Sequence, residues 1–155
     1  MTDVLKIIVV ADLAQARVRS VWPHVDRVPV HPLVERLAVD HDRTLDYSLF
    51  KPDLVVVVGG DGAILRTCRQ MGLMQHPILG VNAGRLGFLA DLAVNDLECE
   101  WGKIAARQYD IAEHLMFGCR IQGPTGVEEH LGLNELVVSS AGAMRMIDIQ
   151  LDING

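Results

Sequence analysis

The sequence predicts an α/β chain: an open, mostly parallel sheet with flanking helices, followed by the first strands of a truncated β lobe. Three observations carry this. Leu54–Val58, after Pro52, contains four consecutive valines, and Ile78–Val81 is a second short apolar run. Strands covered on both faces read as unbroken runs of this kind. Between them Ile64, Leu65, Cys68 and Met71 recur at helical spacing. A strand, a helix and a strand in alternation make a parallel crossover unit.

The elements follow in order. Val4–Val10 is a first apolar strand. Leu13–Trp22 has helical spacing and should end at Pro23. Residues 23–53 are weakly patterned; Val28–Val30 reads as a strand and Leu33–Val39 as a short helix. After the central strand–helix–strand unit, Asn95 and Glu98 have the spacing of a capping box. Leu97, Trp101, Ile104 and Ala105 would form the buried face of that helix. Leu115–Ile121, Leu136–Ser139 and Met146–Ile153 then read as strands with no helix between them. Gln122-Gly123-Pro124-Thr125-Gly126 is a turn. Ile147, Ile149, Leu151 and Ile153 alternate with polar residues, as in a half-buried antiparallel strand. Two regions result: residues 1–110 as the α/β lobe and 111–155 as the start of an incomplete β lobe. Asn154-Gly155 is a hairpin signal with no second strand after it, so the sequence reads as a piece of a longer protein.

Composition narrows the function. The chain has 155 residues, half of them apolar, and a net charge of −6. Sequence-independent nucleic-acid or membrane binding calls for a basic surface, so both are disfavoured. Cys68, Cys99 and Cys119 form no C-x-x-C pair, which argues against a zinc site or disulfide framework. Reduced thiols and the absence of a secretory N-terminus or a transmembrane-length apolar run point to the cytoplasm.

The first chemical cluster is Gly59-Gly60-Asp61-Gly62, between a strand and a helix. Glycines admit close approach of a phosphate. Helix N-terminal amides attract phosphate, whereas a carboxylate repels it. Having both in one turn suits chemistry beside a phosphate. Asp61 could accept a proton from an attacking hydroxyl, orient it or hold a metal; the bland alternative is a helix N-cap. Arg66, in the early turns of that helix, either points into solvent or meets an anion. The second cluster, Val81-Asn82-Ala83-Gly84-Arg85-Leu86-Gly87-Phe88-Leu89, also follows a strand and should lie beside the first. Asn82 offers a donor and an acceptor. Phe88 offers a flat face for a base, although on this residue alone packing into the core is the stronger reading. The third, Asn134-Glu135, could grip a ribose diol or simply form a polar strand entry.

These three patterns, in this order, resemble the NAD kinase family. The likeness runs through Gly-Gly-Asp-Gly at 59–62, Val-Asn-Ala-Gly-Arg-Leu-Gly-Phe-Leu at 81–89 and Leu-Asn-Glu-Leu-Val-Val at 133–138. The resemblance implies transfer of the ATP γ-phosphoryl group, or one from polyphosphate, to the 2′-hydroxyl of the adenosine ribose of NAD. It implies Asp61 as general base and Asn134 with Glu135 at the ribose. Gly62, Leu65 and Phe88 would line the dinucleotide pocket, and Arg66 and Arg145 would contact substrate. It further implies Mg²⁺ with the ATP and a homo-oligomer. Two positions depart from the family pattern: Ala63 stands where a Thr or Ser is common, and His114 where an Arg is common. The family's second Gly-Asp-Gly and its Thr-Pro-Thr-Gly-Ser segment are also absent, so residues 1–155 alone are expected to be inactive, while the unpaired edges and apolar rows expected within 136–153 should make them self-associate. Lipid kinases of the diacylglycerol or sphingosine type share Gly-Gly-Asp-Gly, but their Pro-x-Gly-Thr-x-Asn loop has no counterpart here. A non-catalytic nucleotide-binding module is the alternative from a different class.

Overall fold

A computed structural model describes residues 4–84, 87–141 and 146–153. The chain divides into two compact units, Met1–Glu113 and His114–Gly155. The first contains a five-stranded parallel sheet. Its strands are β1 (Leu5–Ala11), β2 (Val34–Asp40), β3 (Leu54–Gly59), β4 (Ile78–Asn82) and β5 (Leu92–Ala93), in the order β2-β1-β3-β4-β5. Among the described residues three α-helices accompany them, α1 (Ala16–Val25), α2 (Asp61–Met71) and α3 (Val94–Ala105), with a short 3-10 helix at Tyr47–Leu49.

The apolar runs become strands because both of their faces are covered. Every residue of β3 is buried. On one face Ile7, Val9, Val56 and Val58 pack with Val18 and Val25 of α1 and with Leu97, Trp101 and Ile104 of α3. On the other, Val57 neighbours Gly80 in register, and Gly80 faces the Ile64 side chain of α2. Fully burying one such aliphatic side chain stabilises the fold by roughly 1.5–3 kcal/mol. The helices therefore bury what their spacing predicted, Ile64, Cys68 and Met71 in α2 and Leu97, Trp101, Ile104 and Ala105 in α3. Leu65 is only half-buried, and Thr67 is buried instead.

Four expectations fail in this unit. Leu33–Val39 is no helix; Val34–Asp40 is the edge strand β2. Its pairing with β1 jumps from Ile7↔Arg36 to Ile8↔Ala38, leaving Leu37 as an extra residue. That bulge breaks the two-residue alternation that marks a strand. Val28–Val30 lies in turns and at their end, not in a strand. Helix α1 does not stop at Pro23 but carries it inside. Packing of Val18, Val21, Trp22 and Val25 against the core outweighs the roughly 3 kcal/mol cost of a helix-interior proline. Helix α3 begins at Val94 behind Ala93, with no side-chain cap bond, so Asn95 and Glu98 form no capping box.

The second unit contains an antiparallel hairpin, β6 (Met116–Gly123) with β7 (Gly126–Leu133), closed by Pro124-Thr125. Leu136–Ser139 and the described residues 146–153 are not strands. Alternation states which face a strand would bury, but a strand exists only where its main-chain groups find a partner. Asn154 and Gly155 lie outside the described residues.

Candidate active site

In a parallel sheet all carboxyl ends share one edge, and ligands bind there, where the strand order reverses direction. Here the sheet grows from β1 to β2 on one side and to β3 on the other. The reversal therefore lies between β1 and β3, whose carboxyl ends lead into Asp12 and Gly60-Asp61. The pairing register sets Ala11 beside Val58 and Gly59 beside Asn82. The first two sequence clusters are thus neighbours on one edge.

The Gly59–Gly62 turn is tight. Gly59 has φ 159°, and a Cβ there would stand 2.6 Å from the Ala63 Cβ. Gly60 is the N-cap, and its carbonyl accepts the Ala63 amide at 2.8 Å. The first amides of a helix have no partner within it, and those of Asp61 and Gly62 stand at this position. Arg66 is exposed and folds back over the turn, its Nη1 lying 3.5 Å from where a Gly62 Cβ would stand.

Asp61 does not cap its helix, which has no side-chain cap bond. Its Oδ2 accepts the Phe88 amide at 2.9 Å and its Oδ1 the Leu89 amide at 3.1 Å. The Phe88 amide chiefly holds the carboxyl pKa below the usual range, against a smaller upward push from burial. Asp61 is therefore ionised across neutral pH.

The loop after β4 is tied at both ends as well. Asn82 is buried, and its Oδ1 accepts the Gly84 amide at 2.9 Å, so its side chain shapes its own loop. Asp91 accepts the Gly80 amide through Oδ2 and donates its own amide to the Gly80 carbonyl, each at 2.9 Å. Phe88 does not enter the core, as the residue alone suggested; it is 101% exposed. Arg85 and Leu86 lie outside the described residues.

Two groups at this edge escaped the sequence reading. Asp12 accepts from Gln15 Nε2 at 2.9 Å, from the Ala14 amide at 3.1 Å and from Arg43. Arg43 is the main cause of its lowered pKa. An Asp directly after an apolar strand was the available signal. Arg17 leans over Gly84, its Nη1 3.2 Å from where a Cβ would stand. No sequence pattern marked it.

The third cluster lies in the second unit. Asn134 follows β7 with φ 77°, a left-handed conformation that Asn tolerates, and both it and Glu135 are exposed. Arg145 lies outside the described residues. Among the described residues, no group of three or more His, Cys, Asp or Glu is arranged to hold a metal, and no helix is long and apolar enough to cross a membrane.

Residues 16–109 match the family model of the ATP-NAD kinase N-terminal domain. An NAD kinase of Rhodopirellula baltica is 36% identical over 151 residues, which is 97% of this chain and 48% of that protein. An NAD kinase of Alcanivorax borkumensis is 38% identical over 66% of this chain and 35% of its own length. This chain thus spans about half the length, or less, of the curated relatives it matches. Two crystal structures share its fold. Yeast NADH kinase complexed with NADH has a TM-score of 0.61 at 14% identity, over 83% of this chain and 46% of that one. The NAD kinase of Archaeoglobus fulgidus in complex with ATP has a TM-score of 0.50 at 25% identity, over 79% and 45%. With the family model spanning well over half of its residues, and the glycine turn and the second loop side by side on one sheet edge, the chain belongs to the NAD kinase family.

Proposed function

We propose that this chain supplies the α/β lobe, residues 1–110, and the start of a β lobe, residues 111–155, of an enzyme that phosphorylates NAD. The ribose 2′-hydroxyl attacks the ATP γ-phosphorus, the bond to the ADP oxygen breaks, and the hydroxyl proton passes to Asp61. Such transfers depend on positioning and charge stabilisation more than on covalent chemistry by the protein. The observation that carries this reading is one ionised carboxylate held at the start of α2, on the edge where the strand order reverses.

The remaining roles follow from chemistry and position. Gly59, Gly60 and Gly62 allow phosphate to approach the free amides of the turn. Arg66 and Arg145 would contact its charge. Leu65 and Phe88 offer apolar surface to the dinucleotide, while Asn82 holds the loop that carries Phe88. Asn134 and Glu135 would accept and donate at the ribose. A divalent cation, Mg²⁺ in our reading, would arrive on the phosphates. Mg²⁺ usually keeps several waters and binds through substrate phosphates, which leaves Asp61 for the proton. Bound there, the cation would neutralise charge developing on the phosphates. The donor would be ATP or polyphosphate. Free thiols at Cys68, Cys99 and Cys119 support a cytoplasmic site of action, and the family resemblance supports a homo-oligomer.

The test is NADP formation by the full-length protein and by its Asp61→Asn variant. Asn can neither take the proton nor, through its Nδ2, accept one of the two loop amides, so the rate should fall about a hundredfold or more. A variant that keeps most of its turnover would remove Asp61 from the role of base. A wild-type protein that binds NAD and forms no NADP would leave the non-catalytic module.

A further inference from the structure

The contact between Asp61 and the loop after β4 spans 27 and 28 residues of sequence. It serves neither helix capping nor strand pairing. It also depends on a glycine, because a methyl group on Gly87 would overlap the Asp61 carboxylate. Beside this glycine stands Phe88, whose side chain is fully exposed and whose place is set by its backbone.

We propose that Gly87 and the main-chain amides of Phe88 and Leu89 are positioning groups for Asp61, and that Asp61 in return fixes the backbone carrying Phe88. The inference rests on the reading of Asp61 as the base. A carboxylate on a free side chain samples many directions about its last torsion. Two amides, one on each oxygen, select a single direction. A carboxylate offers roughly four acceptor sites, so this grip leaves room for a substrate hydroxyl. The Ala90 amide adds to the same field, and together these donors favour the ionised form. Base and apolar platform are then one device: a change at residue 87 acts on the reaction through residue 61.

The first test does not depend on activity. In the full-length protein, amide hydrogen exchange at Phe88 and Leu89 should be at least tenfold faster in Asp61→Ala than in wild type. The Val57 and Val58 amides should stay unchanged, which reports that the sheet is intact. Unaltered exchange at both loop amides would overturn the contact. The second test is a double-mutant cycle. Gly87→Ala should lower kcat for NADP formation about tenfold or more and, because Phe88 moves with the same backbone, raise KM for NAD. In an Asp61→Ala background it should change kcat less than twofold. Equal losses in the two backgrounds would show that Gly87 acts independently of Asp61 and overturn the positioning role. Should wild type form no NADP, the kinase reading falls, and the exchange result still decides the contact.

Discussion

Strand β3 and the β6–β7 hairpin are opposites in burial. All six residues of β3 are buried, whereas in the hairpin only Gly132 is. Strand β3 pairs with β1 and β4, whereas β6 and β7 pair with each other along one edge each. Coverage differs too: β3 lies between α1 and α3 on one face and α2 on the other, and among the described residues of its own unit the hairpin has no such layers. A two-stranded hairpin alone is marginal in water. A strand laddered on both edges and covered on both faces therefore belongs to a stable core, and a lone hairpin to a weakly held element. Pairing defines the geometry, and burial determines how much a change costs.

That contrast can be broken most forcefully by a charge. Val56→Asp puts an unpaired carboxylate where exposure is now nil. An uncompensated buried charge costs roughly 3–5 kcal/mol, a large part of a typical stability. Val127→Asp, on the exposed hairpin, should stay within about 0.5 kcal/mol. Urea unfolding followed by the fluorescence of Trp22 and Trp101, both in the first unit, measures the first effect. Equal costs for the two variants would mean that the hairpin is buried as deeply as the sheet.

A smaller perturbation sharpens the comparison. A Cβ on Gly80 would stand 2.7 Å from Ile64 Cδ1 and 2.8 Å from the Ala90 backbone, whereas one on Gly118 in β6 meets nothing within 4 Å. Overpacking a core costs about 1–3 kcal/mol. Gly80→Ala should therefore lower the urea midpoint clearly and Gly118→Ala hardly at all. A harmless Gly80→Ala would show that α2 and the loop after β4 can move apart.

Acid separates the two units next. Asp12 has a lowered pKa, chiefly through Arg43. A carboxyl depressed in the folded state contributes stability that is complete above its unfolded value, about 3.9. That contribution is lost as pH falls through the lower folded value. The urea midpoint of the first unit should thus decline below about pH 4, and Arg43→Ala should flatten the decline. An unchanged slope in the variant would show that Arg43 is not the partner that matters. The smallest effect belongs to the hairpin's Arg120–Glu129 pair, whose side chains are 71% and 70% exposed. Glu129→Gln should cost less than about 1 kcal/mol, and less still in high salt.

How much was legible depended on whether a residue's role is local. The valines of β3, the run of β4 and the apolar faces of α2 and α3 were readable because each segment states its own burial through its period. The glycine turn was readable because its residue types and its place between strand and helix are contiguous. Strand β2 was not, because the bulge at Leu37 disrupts the period. Strand β7 went unread because Gly126–Leu133 mixes exposed acidic residues with few apolar ones and takes its pairing from β6. Arg17 and Asp12 were missed because their places at the edge depend on how α1 leaves β1.

By itself the sequence determined the class of the fold, the strands β1, β3 and β4 and the family, since these rest on local periods and on short motifs in a given order. The tertiary structure alone decided that Pro23 stays within its helix, that Leu136–Ser139 forms no strand, and that Phe88 faces outward. It alone decided, too, that both oxygens of Asp61 are held by amides 27 and 28 residues away. The physical reason is common to all of these: a segment's pattern records which surface it would bury, whereas its hydrogen-bond partners and its covering layers come from distant parts of the chain.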